Sequence, residues 1–261
     1  MMQVVFALAR REFVRFVRQP QRVIGSVAQP LLFWLFLGSG FSSSFRAPGM
    51  ENVSYLEYFY PGVMLMMMLF ASIFSSITII EDRDAGFLQS VLVAPVSRMA
   101  IVLGKVLGGT AIAMVQTLIF TLAAPFLGLS LGLVPLVMLV AAYLLTSIGF
   151  AAMGFFFAWG MRSTAGFHAI MMVFLMPLWM LSGALFPIEQ APGWLHLVMS
   201  VNPVAHALVL LRDPFYMTPH QMLADGRYLL ALAVTMAWAV ASLLGSMARV
   251  EKREKGIGLA G

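Results

Sequence analysis

Long apolar runs separated by brief polar interruptions dominate the 261-residue chain. Six of these runs reach the ~20 residues that a helix needs to cross a hydrocarbon core. They cover residues 24–41, 61–80, 106–127, 134–160, 166–186 and 228–248. Inside lipid every backbone N–H and C=O must be satisfied within its own segment, which favours helix over open strand. The pattern therefore predicts an all-α membrane protein built as one transmembrane domain over 1–261.

The remaining stretches have their own patterns. Residues 5–22 carry Arg11, Arg15, Arg18 and Arg22 at helical spacing, with Phe6, Ala9, Phe13, Phe16 and Val17 on another face, which predicts an amphipathic helix on the inner leaflet. The link between the first two spans ends in Tyr55, Tyr58, Phe59 and Tyr60, expected to form an interfacial aromatic belt, and its Asn52-Val53-Ser54 sequon is read as incidental. In the following run, "VMLMMMLF", the methionines are expected to serve ordinary packing. "GLSLGLVP" and "MRSTA" are short turns. Residues 187–227 are half apolar but broken by Pro187, Pro192, Pro203, Pro214 and Pro219, which predicts short re-entrant helices at the outer side.

Composition agrees with this reading, since 61% of residues are hydrophobic and 10% charged, where soluble domains carry about a quarter charged. The net charge of +5 does not point to nucleic acid, because the basic residues flank spans instead of forming a basic face. With both termini cytoplasmic, thirteen of the 16 Lys and Arg lie inside and only Arg46, Arg212 and Arg227 outside. The positive-inside bias selects that orientation. Cysteine is absent, which removes disulfides, thiolate metal sites and a cysteine nucleophile. The opening "MMQVVFALARREF" does not fit a signal peptide, because its arginines follow its short apolar stretch.

Candidate chemistry is sparse. Gly104-Lys105 is followed by Val106, so the Ser or Thr hydroxyl of a phosphate-binding loop is missing and no cofactor or metal site is expected on this chain. Ser182 and His168 could suggest an intramembrane hydrolase, but fourteen residues of helix separate them by about 21 Å at 1.5 Å per residue, too far for a dyad. His168, just inside the fifth span, is either a functional ionisable group or a neutral imidazole bonded to backbone. His196 and His206 lack the companions of a zinc site. Arg212-Asp213 reads as a local polar pair pinning the outer hairpin, and Glu189 as a helix cap. A channel or scaffold subunit, which needs no catalytic residue, stays open. "EDRDAGFLQSVLVAPVSR", residues 81–98, concentrates charge directly after the second span and reads by default as a solvated inner loop.

Three stretches carry a resemblance: "RQPQRVIGSVAQPLLFWLFLGSGF"; "YPGVMLMMM" with "EDRDAGFLQSVLVAPVSRMAIVLGK"; and "LSGALFPIEQAPGWLHLVMSVNPVAHALVLLRD". In order, spacing and topology the chain resembles the membrane subunit of type-2 ATP-binding cassette (ABC) exporters, bacterial permeases of the drug-resistance, nodulation-factor and polysaccharide-export kind. The resemblance implies an elbow helix before the first span, a cytoplasmic coupling helix within 81–98, re-entrant helices between spans five and six, and a bacterial plasma-membrane location. It also implies a separate ATPase subunit carrying ATP and Mg, and a second copy of this chain. Glu81, Asp82, Arg83 and Asp84 would be the ATPase-contacting charges. Gln89 departs from the family, where a second acidic residue is common.

A substrate path at the dimer interface would be lined by Phe33, Trp34, Phe36, Met67, Phe70, Phe74, Met172, Met176 and Trp179. The implied activity is alternating-access export of a hydrophobic small molecule, drug or lipid. Export of a lipid-linked polysaccharide is the alternative, disfavoured slightly because the chain lacks an added sugar-binding domain.

Overall fold

A computed structural model describes residues 1–41, 53–94 and 96–257, with side chains to residue 251. Arg46, Asn52 of the sequon, Pro95 and the side chains of Lys252, Arg253 and Lys255 lie outside the described residues. Among the described residues the chain is helical without strands. In order it forms α1 (Met2–Val17), α2 (Pro20–Gly40), α3 (Tyr55–Ser75), α4 (Ile77–Asp84), α5 (Phe87–Val93), α6 (Arg98–Thr121) and α7 (Leu133–Gly160). Then come α8 (Thr164–Trp179), α9 (Gly193–Ser200), α10 (Pro203–Tyr216), α11 (Pro219–Ala224) and α12 (Gly226–Ile257). Among the described residues six helical stretches are long and apolar enough to cross a membrane: α2, α3 continued by α4, α6, α7, α8 with the turn after it, and α12 to Glu251.

Local chemistry sets the boundaries. The predicted amphipathic helix over 5–22 ends early, at Val17, because Gln19 precedes Pro20 and is held at φ −111°, ψ 80°. A proline disfavours helical geometry in the residue before it and suits the first turn of the next helix, so Arg22 belongs to the first span. The buried seam of α1 is Val5, Leu8 and Glu12, whereas Phe6 and Val17 face outward. The second span starts well before residue 61. Ser54 accepts from the Glu57 N–H while the Glu57 carboxylate accepts from the Ser54 N–H, a reciprocal cap that starts α3 at Tyr55.

The aromatics expected at the depth of an interfacial belt are turned into the bundle. Tyr55, Tyr58, Phe59 and Tyr60 are buried inside the bundle. Their hydroxyls find carbonyls there: Tyr55 donates to Leu185 and Tyr58 to Gly183, at 3.0 and 2.8 Å. A buried phenol needs such a partner, and here the aromatic body packs while the hydroxyl closes a backbone vacancy. Helix α3 is apolar on every side and accordingly sits at the centre, with α2, α6, α7 and α10 around it. Met64, Met66, Met67 and Met68 are all core residues, as the packing reading of the methionines expects.

The expected breaks at Pro187, Pro192, Pro203 and Pro219 are present, at the starts of short helices, whereas Pro214 is absorbed inside α10. After Trp179 the helix widens into a π-turn at Met180–Ala184, where Gly183 takes φ +87°, a left-handed value that glycine adopts without penalty. The carbonyls released by this break are capped from elsewhere. Asn202 Nδ2 donates to Leu178 and Leu181 at 2.7 and 3.0 Å, while its Oδ1 accepts from the Val204 N–H and starts α10. Arg212 Nη2 donates to Gly183 O at 2.9 Å, beside the Tyr58 hydroxyl. Helices α9 and α10 then meet at a 78° bend.

Candidate functional site

The densest polar chemistry lies where α1, α4 and α6 meet. Helix α1 presents Arg11, Glu12 and Arg15, α4 presents Glu81 and Asp82, and α6 presents Lys105. Arg11 grips Asp82 with both guanidinium nitrogens, at 2.8 and 2.9 Å. Arg15 bridges Asp82 at 3.0 Å and Glu81 at 2.6 Å. Lys105 Nζ donates to Glu12 at 2.7 Å and to Thr78 at 3.2 Å, and also to Asp82. Asp82 thus accepts from three cations, and the six charges sum to zero.

Glu12, Asp82 and Lys105 expose only 3, 2 and 5% of their side chains. Removing one partner from such a buried set strands the others, which is why its integrity matters more than its net contribution to stability. Hydrogen bonding to Asp82 raises the Arg11 pKa above its ordinary value, so Arg11 stays charged. Its guanidinium also stacks 3.8 Å over the Phe87 ring, carrying the junction into α5.

The close approach of α1 to α6 depends on two glycines one turn apart. A Cβ on Gly104 would stand 2.6 Å from Leu8 Cβ, and one on Gly108 would stand 2.7 Å from Glu12 Cβ. Gly108→Leu is expected to lift α1 from α6 at a cost of about 1–3 kcal/mol from overpacking. Trypsin should then cut at Arg11 or Arg15 several-fold faster than in the unaltered chain; an unchanged digestion pattern would show that the contact is dispensable.

The four charges expected at an ATPase contact divide by position. Glu81 and Asp82 are engaged with α1 and α6. Arg83 donates to the carbonyls of Met161 and Trp159 at 2.6 and 2.8 Å, closing the C-terminal end of α7. Asp84 faces solvent, as do Ala85, Gly86, Gln89, Ser90 and Val93 on the α4–α5 hairpin. Sequence reasoning missed Glu12 and Lys105 as members of the junction. The available signal was a lysine between two glycines inside an apolar helix, since an ionisable residue there must find a partner.

Within the single chain, eight of the nine expected substrate-path residues border three separate cavities. Phe70, Phe74 and Met172 border a cavity of about 310 Å³ that also receives Arg15, Arg22 and His168. Trp34 and Met67 border a second cavity, and Phe33, Met176 and Trp179 a third. Phe36 projects outward from α2. Met67 and Trp179 are core residues, Trp179 donating its indole N–H to Gly62 O at 2.8 Å. His168 is exposed and stacks on Phe74 at 4.6 Å.

Six apolar spans, a helix keyed by salt bridges to the C-terminal end of the second span, and an exposed hairpin there define a multi-pass membrane protein. The chain belongs to the ABC-2 type transporter family, whose model matches residues 3–216. It is 31% identical over 215 residues to the putative transport permease ycf38 of Cyanophora paradoxa, covering 80% of this chain and 73% of the relative. It is 25% identical over 209 residues to the daunorubicin resistance ABC transporter permease protein DrrB1 of Streptomyces coeruleorubidus, covering 78% and 71%. Nodulation protein J of Rhizobium meliloti is 28% identical over 196 residues, covering 73% and 72%. Membership implies an ABC ATPase partner.

Proposed function

We propose that this chain is the membrane half of an ATP-driven exporter that moves a hydrophobic small molecule, drug or lipid from the cytoplasm or inner leaflet outward. The observation that carries the reading is the α4–α5 hairpin. It is exposed along Asp84, Gln89 and Val93, yet fixed at its root to α1, α6 and α7 through Glu81, Asp82 and Arg83. An ATPase subunit holding ATP and Mg seats on the exposed strip as on a coupling helix. A push there reaches three other helices at once, because packed elements move between discrete arrangements instead of deforming continuously. ATP binding on the partner then biases an inward-open to outward-open equilibrium.

Two further features support the assembly. Helices α2 and α8 leave Leu32, Leu35 and Phe36, and Ile170, Val173 and Phe174, uncovered. A second copy of this chain packs on those faces, with lipid covering the remainder. The bias of thirteen of 16 Lys and Arg to one side supports cytoplasmic termini in a bacterial plasma membrane. The relative named for daunorubicin resistance favours a drug-like or lipid-like cargo.

Gentle extraction of the tagged chain followed by mass spectrometry tests the reading. A P-loop ATPase is expected at one copy per permease chain. A reproducible absence with the chain intact and monodisperse would move the assignment to a channel or scaffold subunit.

A further inference from the structure

Helix α2 packs unevenly along its length. Beyond Pro30, Trp34 donates to Leu56 O at 3.0 Å and packs on Tyr60 and Phe120, while Phe33 meets Trp179. Before Pro30, the side-chain hydrogen bonds to other helices among the described residues are Gln116 Nε2 to Ser26 Oγ at 2.8 Å and Arg22 to Phe74 O at 3.5 Å. A Cβ on Gly25 would meet nothing within 4 Å. This half of α2 stands off from α3 and α6, with a cavity of about 310 Å³ on one side and about 610 Å³ on the other. The two cavities share Phe16 and Ile112 as walls, beside the break between α1 and α2.

Their chemistry differs. The larger is apolar apart from Gln116 and the indole of Trp34, and Ile24, Val115 and Ile119 on its wall are exposed, so it opens toward lipid. The smaller carries Glu12, Arg15, Arg22 and His168. Arg15 is paired with Glu81 and Asp82, and Glu12 with Lys105. Arg22 has only neutral acceptors among the described residues, Gln19 Oε1 at 3.1 Å and the long contact to Phe74 O. A half-buried guanidinium without a carboxylate favours a phosphate, whose oxygens match its fork of donors. Pro30 has no N–H for the Ser26 carbonyl, so the same wall also offers an acceptor.

A free phosphate would answer Arg22 and leave the apolar cavity beside it unfilled. A zwitterionic headgroup would bring an ammonium toward two arginines. A lipid with one net negative charge and headgroup hydroxyls suits both cavities at once. We propose that the pair of cavities holds one anionic phospholipid of the glycerol-headgroup kind. Its phosphodiester sits on Arg22, a headgroup hydroxyl donates to Ser26 O, and one acyl chain lies between α2 and α6. This lipid is a resident wedge that spaces α2 from α6, distinct from cargo. The α2 residues given to a second copy, Leu32, Leu35 and Phe36, border neither cavity. The exporter reading enters only through the membrane orientation, and binding needs no ATPase.

Native mass spectrometry of the delipidated full chain in detergent tests this with three probes: phosphatidylglycerol, phosphatidylcholine with the same chains, and glycerol 1-phosphate. One phosphatidylglycerol per chain is expected to survive activation that strips phosphatidylcholine, with no retention of glycerol 1-phosphate. Arg22→Gln should weaken retention about fivefold, the share of one arginine at an anionic lipid surface. Val27→Trp fills the apolar cavity, leaves every charge in place and should abolish retention. Arg22 is only half buried, so Arg22→Gln decides the matter if Val27→Trp does not assemble. Equal retention of the two lipids, retention of glycerol 1-phosphate, retention of neither lipid, or unchanged retention in Arg22→Gln would overturn the proposal. Movement of the bound lipid across liposomes when ATP is added to the copurified complex would make it cargo and overturn the resident role. An ATPase that fails to copurify would sink the exporter reading and leave the lipid result standing.

Discussion

Lys105→Met is expected to remove most of the heat-resistant, monodisperse chain. The ammonium sits between Glu12, Asp82 and Thr78 with almost no solvent contact, and Met preserves the stem while deleting the charge. Two buried carboxylates then face each other with only the arginines of α1 to hold them. Breaking a buried ion pair from one side costs about 3–5 kcal/mol. That is a large fraction of the ~5–15 kcal/mol that typically separates a folded domain from its unfolded ensemble.

The measurement is the fraction eluting as a single species after a series of heating steps. Adding Glu12→Gln to Lys105→Met should restore part of the loss, because Asp82 keeps its two guanidinium partners while the neutral amide no longer needs a cation. Heat resistance equal to the unaltered chain in Lys105→Met would refute the junction's structural role.

The six spans were legible because about 20 apolar residues in a row have few alternatives to crossing a membrane. Pro187, Pro192, Pro203 and Pro219 were legible as breaks for a similarly local reason, whereas Pro214 sits within α10. What escaped was long-range pairing. Arg11 and Asp82 are separated by 71 positions, and Glu12 and Lys105 by 93. Helical period tells which face a charge occupies, not which helix that face will meet. The arginines of α1 therefore read as the polar face of a membrane-surface helix, and Asp82 as a charge of a solvated or ATPase-contacting loop.

Tyr55, Tyr58 and Tyr60 escaped for a related reason. A tyrosine suits a membrane–water boundary by composition, but a broken helix such as the one at Gly183 offers carbonyls to its hydroxyl inside the bundle. The single break between α1 and α2 was readable from Gln19-Pro20. The expected amphipathic helix ran past it because the arginine spacing continues across the proline.

Asp84→Lys combined with Val93→Asp is expected to abolish ATPase association while leaving the chain folded. Both side chains belong to the solvent-facing strip, and Val93 is 88% exposed, an unusual position for an aliphatic residue on a charged hairpin. A hot-spot residue at an interface contributes about 2 kcal/mol or more, so losing one such contact weakens binding roughly 30-fold. Placing like charge against a complementary surface adds to that loss.

The contrast with Asp82→Lys separates the two layers of the hairpin. Asp82 is buried among Arg11, Arg15 and Lys105, so a fourth cation there should unfold the junction before any docking can be read. Affinity for the copurified ATPase and retention of a monodisperse permease, measured on the same preparations, distinguish them. Strip variants should fail the first and pass the second, whereas Asp82→Lys should fail both. Full ATPase binding by the strip double variant would place the docking contact elsewhere on the cytoplasmic side. The hairpin would then be a brace for α1, α6 and α7 and not a seat for the motor.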